Sequence, residues 1–186
     1  MRVLTAFLLM LFVFTGCTGS AENIEPGLTI RNKLVSGNGC SFETTITADY
    51  GDEIYTFSMK CEVDQNGNLS FAVTEPDSIK GICGTVSESG GSLSFDDQML
   101  AFEMLADGMI SPVITPWLLI RSLRSGYISG TAKESGGTCL HIDDSFKGEN
   151  LKTIVWINPE GEPTGAEFLY KGKRILSLNV VNFLIL

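Results

Sequence analysis

Residues 40–73, CSFETTITADYGDEIYTFSMKCEVDQNGNLSFAV, decide the fold. Apolar and polar side chains alternate along them with a period of two, the pattern of strands that bury one face. Cys40, Phe42, Thr44, Ile46 and Ala48 share one side of a first strand, with Glu43, Thr45, Thr47 and Asp49 on the other. Tyr55, Phe57, Met59, Cys61 and Val63 repeat the pattern in a second strand, and Leu69, Phe71 and Val73 in a third. Gly51-Asp52 suits a two-residue type II′ turn with glycine first, and Gln65-Asn66-Gly67 suits a three-residue loop with Gly67 in the left-handed region. The type II′ turn sets Phe42 opposite Cys61. A slip of two residues, with Tyr50-Gly51 as the loop, sets Cys40 there instead, and the alternation accommodates either register. Consecutive antiparallel strands with one apolar face predict a mainly β domain of the α+β class.

Outward from this core the pattern continues. Glu75-Pro76-Asp77 ends the third strand. Residues 79–86 read as a fourth, with Gly81 and Gly84 as bends or bulges. Glu88-Ser89-Gly90-Gly91 is a turn, Leu93 and Phe95 open another strand, and residues 99–105 read as one more. One segment has helical spacing. Thr115 stands where a cap belongs, Pro116 takes the favoured first position, and Leu119, Ile120 and Leu123 form a stripe that Trp117 and Leu118 widen. Gly126 is a natural stop, and Arg121 and Arg124 lie near the C-terminal end, where cations suit the helix dipole. Strands resume over residues 139–142, 151–157, 165–170 and 175–183, separated by turn signals within 143–150, 158–163 and 171–173. Before the sheet, residues 28–35 form a short helical or irregular lead-in that Ser36-Gly37-Asn38-Gly39 breaks.

The N-terminus has another character. Arg2 and the amino terminus supply positive charge, residues 3–14 are apolar, and Thr15-Gly16-Cys17 follows. The apolar run is too short for a spanning helix and has the order of a signal peptide. The arrangement resembles a bacterial lipoprotein signal with its lipobox, although Phe14 stands where Leu, Val or Ile is usual. That resemblance implies removal of residues 1–16, a diacylglycerol on the Cys17 thiol, and palmitate-length acyl chains holding the protein to the extracytoplasmic face of the cell membrane. Residues 17–27 then form a lipidated flexible tether, and 28–186 the domain. The formal charge of −9, from 22 acidic against 13 basic residues, disfavours nucleic acid and flat docking on anionic lipid. A monomer is expected. With Cys17 lipidated, Cys40, Cys61, Cys83 and Cys139 are left, open to two disulfides or to a life as buried free thiols.

The sequence carries no catalytic signature. His141 is the one histidine, so no His-cluster metal site and no serine or cysteine nucleophile with a choice of bases can be built. Asp96-Asp97 and Asp143-Asp144 lack the ligand spacing of a calcium loop and read as solvated turn carboxylates. Gly90-Gly91 lacks the lysine and helix of a phosphate loop. No cofactor is indicated, and the chain reads as a non-enzyme.

The first strand pair between Phe42 and Cys61, the strand end at Glu75-Pro76, and the run Ser111-Pro112 through Pro116-Trp117-Leu118-Leu119-Ile120 to Gly126-Tyr127-Ile128 resemble the lipoprotein-localisation (LolA/LolB-like) superfamily. The likeness is nearest to its lipoproteins in spore-forming and gut bacteria. It implies an incomplete antiparallel β-barrel, a half-barrel, with an inserted amphipathic helix over its concave apolar side. Two functions follow from such a shell. The concave face can bind an acyl chain or other apolar ligand, with Phe42, Ile46, Phe57, Met59, Phe71, Trp117 and Ile120 as the lining. Alternatively the domain is a membrane-tethered scaffold for another cell-envelope protein or enzyme, gripped by strand addition at an open sheet edge. The anchor is tested by Cys17→Ser: the precursor is expected to stay unprocessed by the lipoprotein route and its membrane fraction to lose the lipid-modified form. Unchanged mass and unchanged retention on fractionation would refute it.

Overall fold

The computed structural model describes residues 24–96, 98–106 and 109–186; Cys17 and the leader lie outside them, as does Asp97. The strands form one open eleven-stranded antiparallel sheet in the order β6-β5-β4-β3-β2-β1-β13-β12-β11-β10-β9. Two meanders are thus joined at the middle of the sheet, where the first strand pairs with the last. β1 is Gly39–Asp49, β2 Ile54–Asp64, β3 Leu69–Glu75, β4 Cys83–Ser87, β5 Gly90–Phe95 and β6 Gln98–Phe102. β7 (Leu105–Ala106) and β8 (Met109–Ile110) form a small separate ladder. β9 is Tyr127–Glu134, β10 Gly137–Phe146, β11 Glu149–Ile157, β12 Pro163–Tyr170 and β13 Lys173–Ile185. Two helices complete the fold among the described residues: α1 (Glu25–Ser36) and α2 (Thr115–Ser125), the second preceded by a 3₁₀ turn, Pro112–Ile114. β6 and β9 are the outermost strands of the sheet among the described residues, so the sheet is a half-barrel, with α2 packed into its concavity.

The opening hairpins follow their turns. Phe42 lies opposite Cys61 and Asp49 opposite Ile54, the type II′ register, and Gly51 has φ +93°. Val63 faces Leu69 and Cys61 faces Phe71 across a loop in which Gly67 has φ +86°. The Asp64 carboxylate accepts from the backbone N–H groups of Asn66 and Asn68 at 2.8 and 2.9 Å. Burial is the largest single influence and raises the Asp64 pKa, but the hydrogen bonds from the Asn68 side-chain amide and from the backbone of Asn66, Gly67 and Asn68 together outweigh it, and the net shift is downward.

Elsewhere the structure corrects the sequence reading. Residues 25–27 belong to α1 instead of the tether. A Cβ on Gly27 would stand 2.7 Å from Ile128 Cδ1, so this glycine lets the helix approach β9 closely. The strand expected over 79–86 begins only at Cys83, because the chain from Pro76 to Ile82 is turn, with Gly81 at φ +90°. The run 99–105 divides into β6 and β7. Thr115 does not cap α2: its hydroxyl donates to the Pro112 carbonyl at 2.6 Å, within the 3₁₀ turn. Gly126 ends the helix in extended conformation, and its missing side chain makes room for Ile142, whose Cγ2 a Cβ would meet at 2.4 Å. β10 runs through Asp143-Asp144, and the turn is only Lys147-Gly148, both at positive φ. β9 carries no sequence signal, since it is an edge strand with little buried surface.

Polar contacts lock α2 in place. Arg31 of α1 donates through Nε to the Leu123 carbonyl at 2.9 Å and through a second nitrogen to that of Gly126, both at the end of α2. Arg124 of α2 returns the arrangement, donating to the Leu34 carbonyl in the last turn of α1 at 2.9 Å and to Gln65 at 3.0 Å. Each arginine satisfies carbonyls that the other helix leaves without internal partners. Beneath α2, the Ser122 and Thr153 hydroxyls meet at 3.1 Å in a fully buried pair. Arg121 spans the two flanks of the half-barrel: Nε lies 2.8 Å from Glu88 in the β4–β5 turn, and Nη1 lies 2.5 Å from Asp144 on β10.

The Asp144 carboxylate is 12% exposed and that of Glu88 75%, so the two pairs differ in worth. Arg121→Met and Asp144→Asn are each expected to lower unfolding stability by about 1.5–3 kcal/mol, the range for hydrogen bonds to charged groups. Glu88→Gln is expected to change it by less than about 1 kcal/mol, as for an exposed ion pair. Urea denaturation of the three variants checks the order, and equal effects at Glu88 and Asp144 would contradict it.

Candidate functional site

The concave face of the sheet is filled. Phe42, Ile46, Met59, Phe71 and Ile120, expected to line a ligand cleft, are at most 4% exposed and belong to one continuous core. Trp117 joins them, its ring 6.2 Å from that of Phe146, and Phe42 stacks at 5.7 Å on Phe183. α2 occupies the space that a ligand would need, because Leu118, Leu119, Ile120 and Leu123 are all buried against the sheet. Of the seven residues, Trp117 lines a cleft with Glu88, Arg121 and Arg124, and Phe57 on β2 reaches a separate cleft of predominantly apolar lining.

That cleft lies beyond the end of the packed core, at the mouth of the half-barrel. It has a volume of about 620 Å³ and is walled by Phe57, Val73, Ile79, Ile82, Leu93 and Val113, with Tyr50 and Tyr55 at one side. Three elements build it. The β1–β2 hairpin brings the tyrosines, the turn after β3 brings Pro76 and Ile79, and the 3₁₀ turn brings Pro112 and Val113. Its walls do not meet: Ile79, Ile82, Leu93 and Val113 are only half-buried, and Tyr55 and Ile54 are exposed. The alternation along β2 and β5 places Tyr55 and Leu93 on the concave face, and that much was available to pattern reasoning. Ile79 and Val113 sit in turns, where no period marks them.

The ionisable groups at the cleft are phenols. The Tyr50 hydroxyl donates to the Ile110 carbonyl and so ties the hairpin to the segment leading into α2. Burial, and next the neighbouring Tyr55, push the Tyr50 pKa up to about 12. Tyr55 donates to the Glu53 carboxylate, and this bond, then burial, then the Glu53 charge raise its pKa. Both stay neutral at physiological pH, so the cleft offers an apolar wall with hydroxyl groups at its rim.

The other candidates are dispersed. His141 is exposed on β10, with Nε2 4.0 Å from Cys139 Sγ. Asp143 lies 3.8 Å from Lys152, and Asp144 is held by Arg121, so this carboxylate pair is part of a strand and not a solvated turn. Among the described residues no group of His, Cys, Asp and Glu is placed to hold a metal ion. Cys40, Cys61, Cys83 and Cys139 are all free thiols. The register sets Cys40 opposite Val63 and Phe42 opposite Cys61, so the two inner thiols are diagonal neighbours and unbridged. Burial pushes the Cys40 thiol up to about 12, with Arg124 opposing, and burial also raises Cys61 and Cys139.

No family model and no curated protein matches the sequence. Among solved structures, the chain is similar to a LolA superfamily protein from Nitrosomonas europaea, at 13% identity, covering 84% of this chain and 92% of that one with a TM-score of 0.43. It is similar to an uncharacterized conserved protein from Thermus thermophilus, at 13% identity, 89% and 88% coverage and a TM-score of 0.48. It is also similar to the lipoprotein LppX from Mycobacterium tuberculosis, at 16% identity, 87% and 96% coverage and a TM-score of 0.42.

Thiol burial gives a direct check on the geometry. In a Cys17→Ser background, iodoacetamide at pH 8 is expected to modify the native protein at Cys83, the one exposed thiol among the described residues. Cys40 and Cys61 are expected to react only after unfolding. Rapid native labelling of Cys40 or Cys61, seen by peptide mass mapping, would show that the concave face is open.

Proposed function

We propose that this chain is a lipid-anchored, extracytoplasmic binding protein that takes one acyl chain, or an apolar group of similar size, into the cleft at the mouth of its half-barrel. The observation that carries this reading is the unfilled apolar volume of about 620 Å³ between Phe57, Ile82, Leu93 and Val113. Pockets of about 300–1,000 Å³ with mostly apolar walls and a few polar groups at the rim are the usual form of small-molecule sites. Filling this one removes the half-buried walls from water at ~25 cal/mol per Å². The neutral tyrosine hydroxyls suit the polar end of such a ligand and supply no catalytic acid or base, so binding is favoured over catalysis.

In this reading residues 1–16 are removed, Cys17 bears the lipid, and the segment up to Glu25 is the tether. Eight residue steps of extended chain reach at most about 28 Å, so the domain stays close to the membrane from which an acyl chain could come. This places the ligand site at the end of the concave face, beyond the core that α2 fills.

A fluorescent fatty acid titrated into the purified protein tests the proposal. Saturable binding is expected, and Val113→Asp, which sets a charge in the wall, is expected to weaken it by at least about tenfold, with circular dichroism unchanged. An affinity equal in the variant and the parent, or no saturable binding, would refute it.

A further inference from the structure

The two edges of the sheet are built differently. β9 is a guarded edge: it carries Lys133 and Glu134, and its ladder with β10 breaks between His141 and Ile142. Charges and irregular ladders are the usual means of keeping an edge strand from pairing with another chain. β6, Gln98-Met99-Leu100-Ala101-Phe102, has none of them. It carries no charge and no proline, and it pairs with β5 in unbroken register from Phe95↔Gln98 to Gly91↔Phe102. Met99 and Leu100 are 76% and 66% exposed, and Phe95 beside them 53%. An antiparallel ladder turns every second N–H and C=O away from its partner, so β6 offers the outward row that strand addition requires.

Charge selects the occupant. From residue 81 to residue 120 the sequence holds Glu88, Asp96, Asp97, Glu103 and Asp107 and no basic residue. Asp96 and Glu103 flank β6 and are exposed. A second copy of β6 laid antiparallel along the first would bring the acidic ends of both chains together, and like charges opposed across a ladder are destabilising. An apolar centre with basic flanks meets every part of this edge.

We propose that the β6 edge is a docking site for an extended segment of another protein, with alternating apolar or β-branched residues between lysine or arginine flanks, added as a twelfth strand. The main-chain ladder supplies affinity, Met99 and Leu100 receive side chains on the two faces, and Asp96 and Glu103 hold the basic flanks. The site is separate from the cleft proposed for apolar ligands.

The test uses the full chain purified in detergent and a fluorescent peptide in which Val and Thr alternate between Lys pairs. Saturable binding is expected, weakening as salt rises, with no binding of a peptide that has the same centre and Glu flanks. Ala101→Pro, which removes a backbone N–H from the edge strand, and Glu103→Lys, which reverses a flank, are each expected to weaken it by about tenfold or more. Val113→Asp is expected to leave it unchanged. Equal binding of the Lys- and Glu-flanked peptides, or full affinity in both edge variants, would overturn the proposal. So would a concentration-dependent dimer abolished by Ala101→Pro, which would give the edge to a second copy of this chain.

Discussion

Everything in this molecule depends on covering one concave sheet face. A half-barrel leaves its inner side chains open along one side, and a wet apolar face of that size cannot be stable. The chain answers with α2, whose residues from Thr115 to Ile120 are all buried. A helix so enclosed has a problem at its end, because its last carbonyls have no partners within the helix. Arg31 and Arg124 solve it reciprocally, each reaching across to the other helix. α1 is thereby required for α2, and α2 for the sheet. Arg31 bears a cost for this position, since burial lowers its guanidinium pKa.

The same plug decides where a ligand can go. Side chains on the middle of β1, β2 and β3 meet α2 and are sealed, whereas those toward the β1–β2 turn extend past it. The cleft is what is left when a helix of this length covers a sheet of this width. Its position follows from the helix N-terminus, where the 3₁₀ turn holding Pro112 and Val113 bends the chain away before the sheet ends. Arg121 adds a second consequence. By holding Asp144 on one flank and Glu88 on the other, it limits how far the two edges can spread.

Much of this was legible in the sequence, for reasons particular to certain elements. The β1–β2–β3 registers follow from Gly51-Asp52 and Gln65-Asn66-Gly67, because turn chemistry and a period of two fix side-chain facing together. α2 was legible from its stripe and from Pro116. α1 was obscured by Pro26 and Gly27, which look like a linker; Gly27 is needed for contact with Ile128 and Leu140, a fact no local pattern carries. β9 was invisible because an edge strand buries too little to need alternation. The packing of the inner face was not legible, since apolar periodicity tells which face is inward and not what fills it. Phe42 and Phe57 have the same pattern, and only the reach of α2 separates core from cleft.

The junction of β1 with β13 sets a schedule for assembly. Cys40 pairs with Ile185 and Ala48 with Leu176, so the middle of the sheet joins segments from opposite ends of the described chain. A ribosome or an export channel that releases the N-terminal half first delivers a meander whose innermost strand still lacks a neighbour. Such long-range pairing makes for slow folding and a lasting exposed edge, and the early half must stay soluble, or be chaperoned, until its final partner arrives.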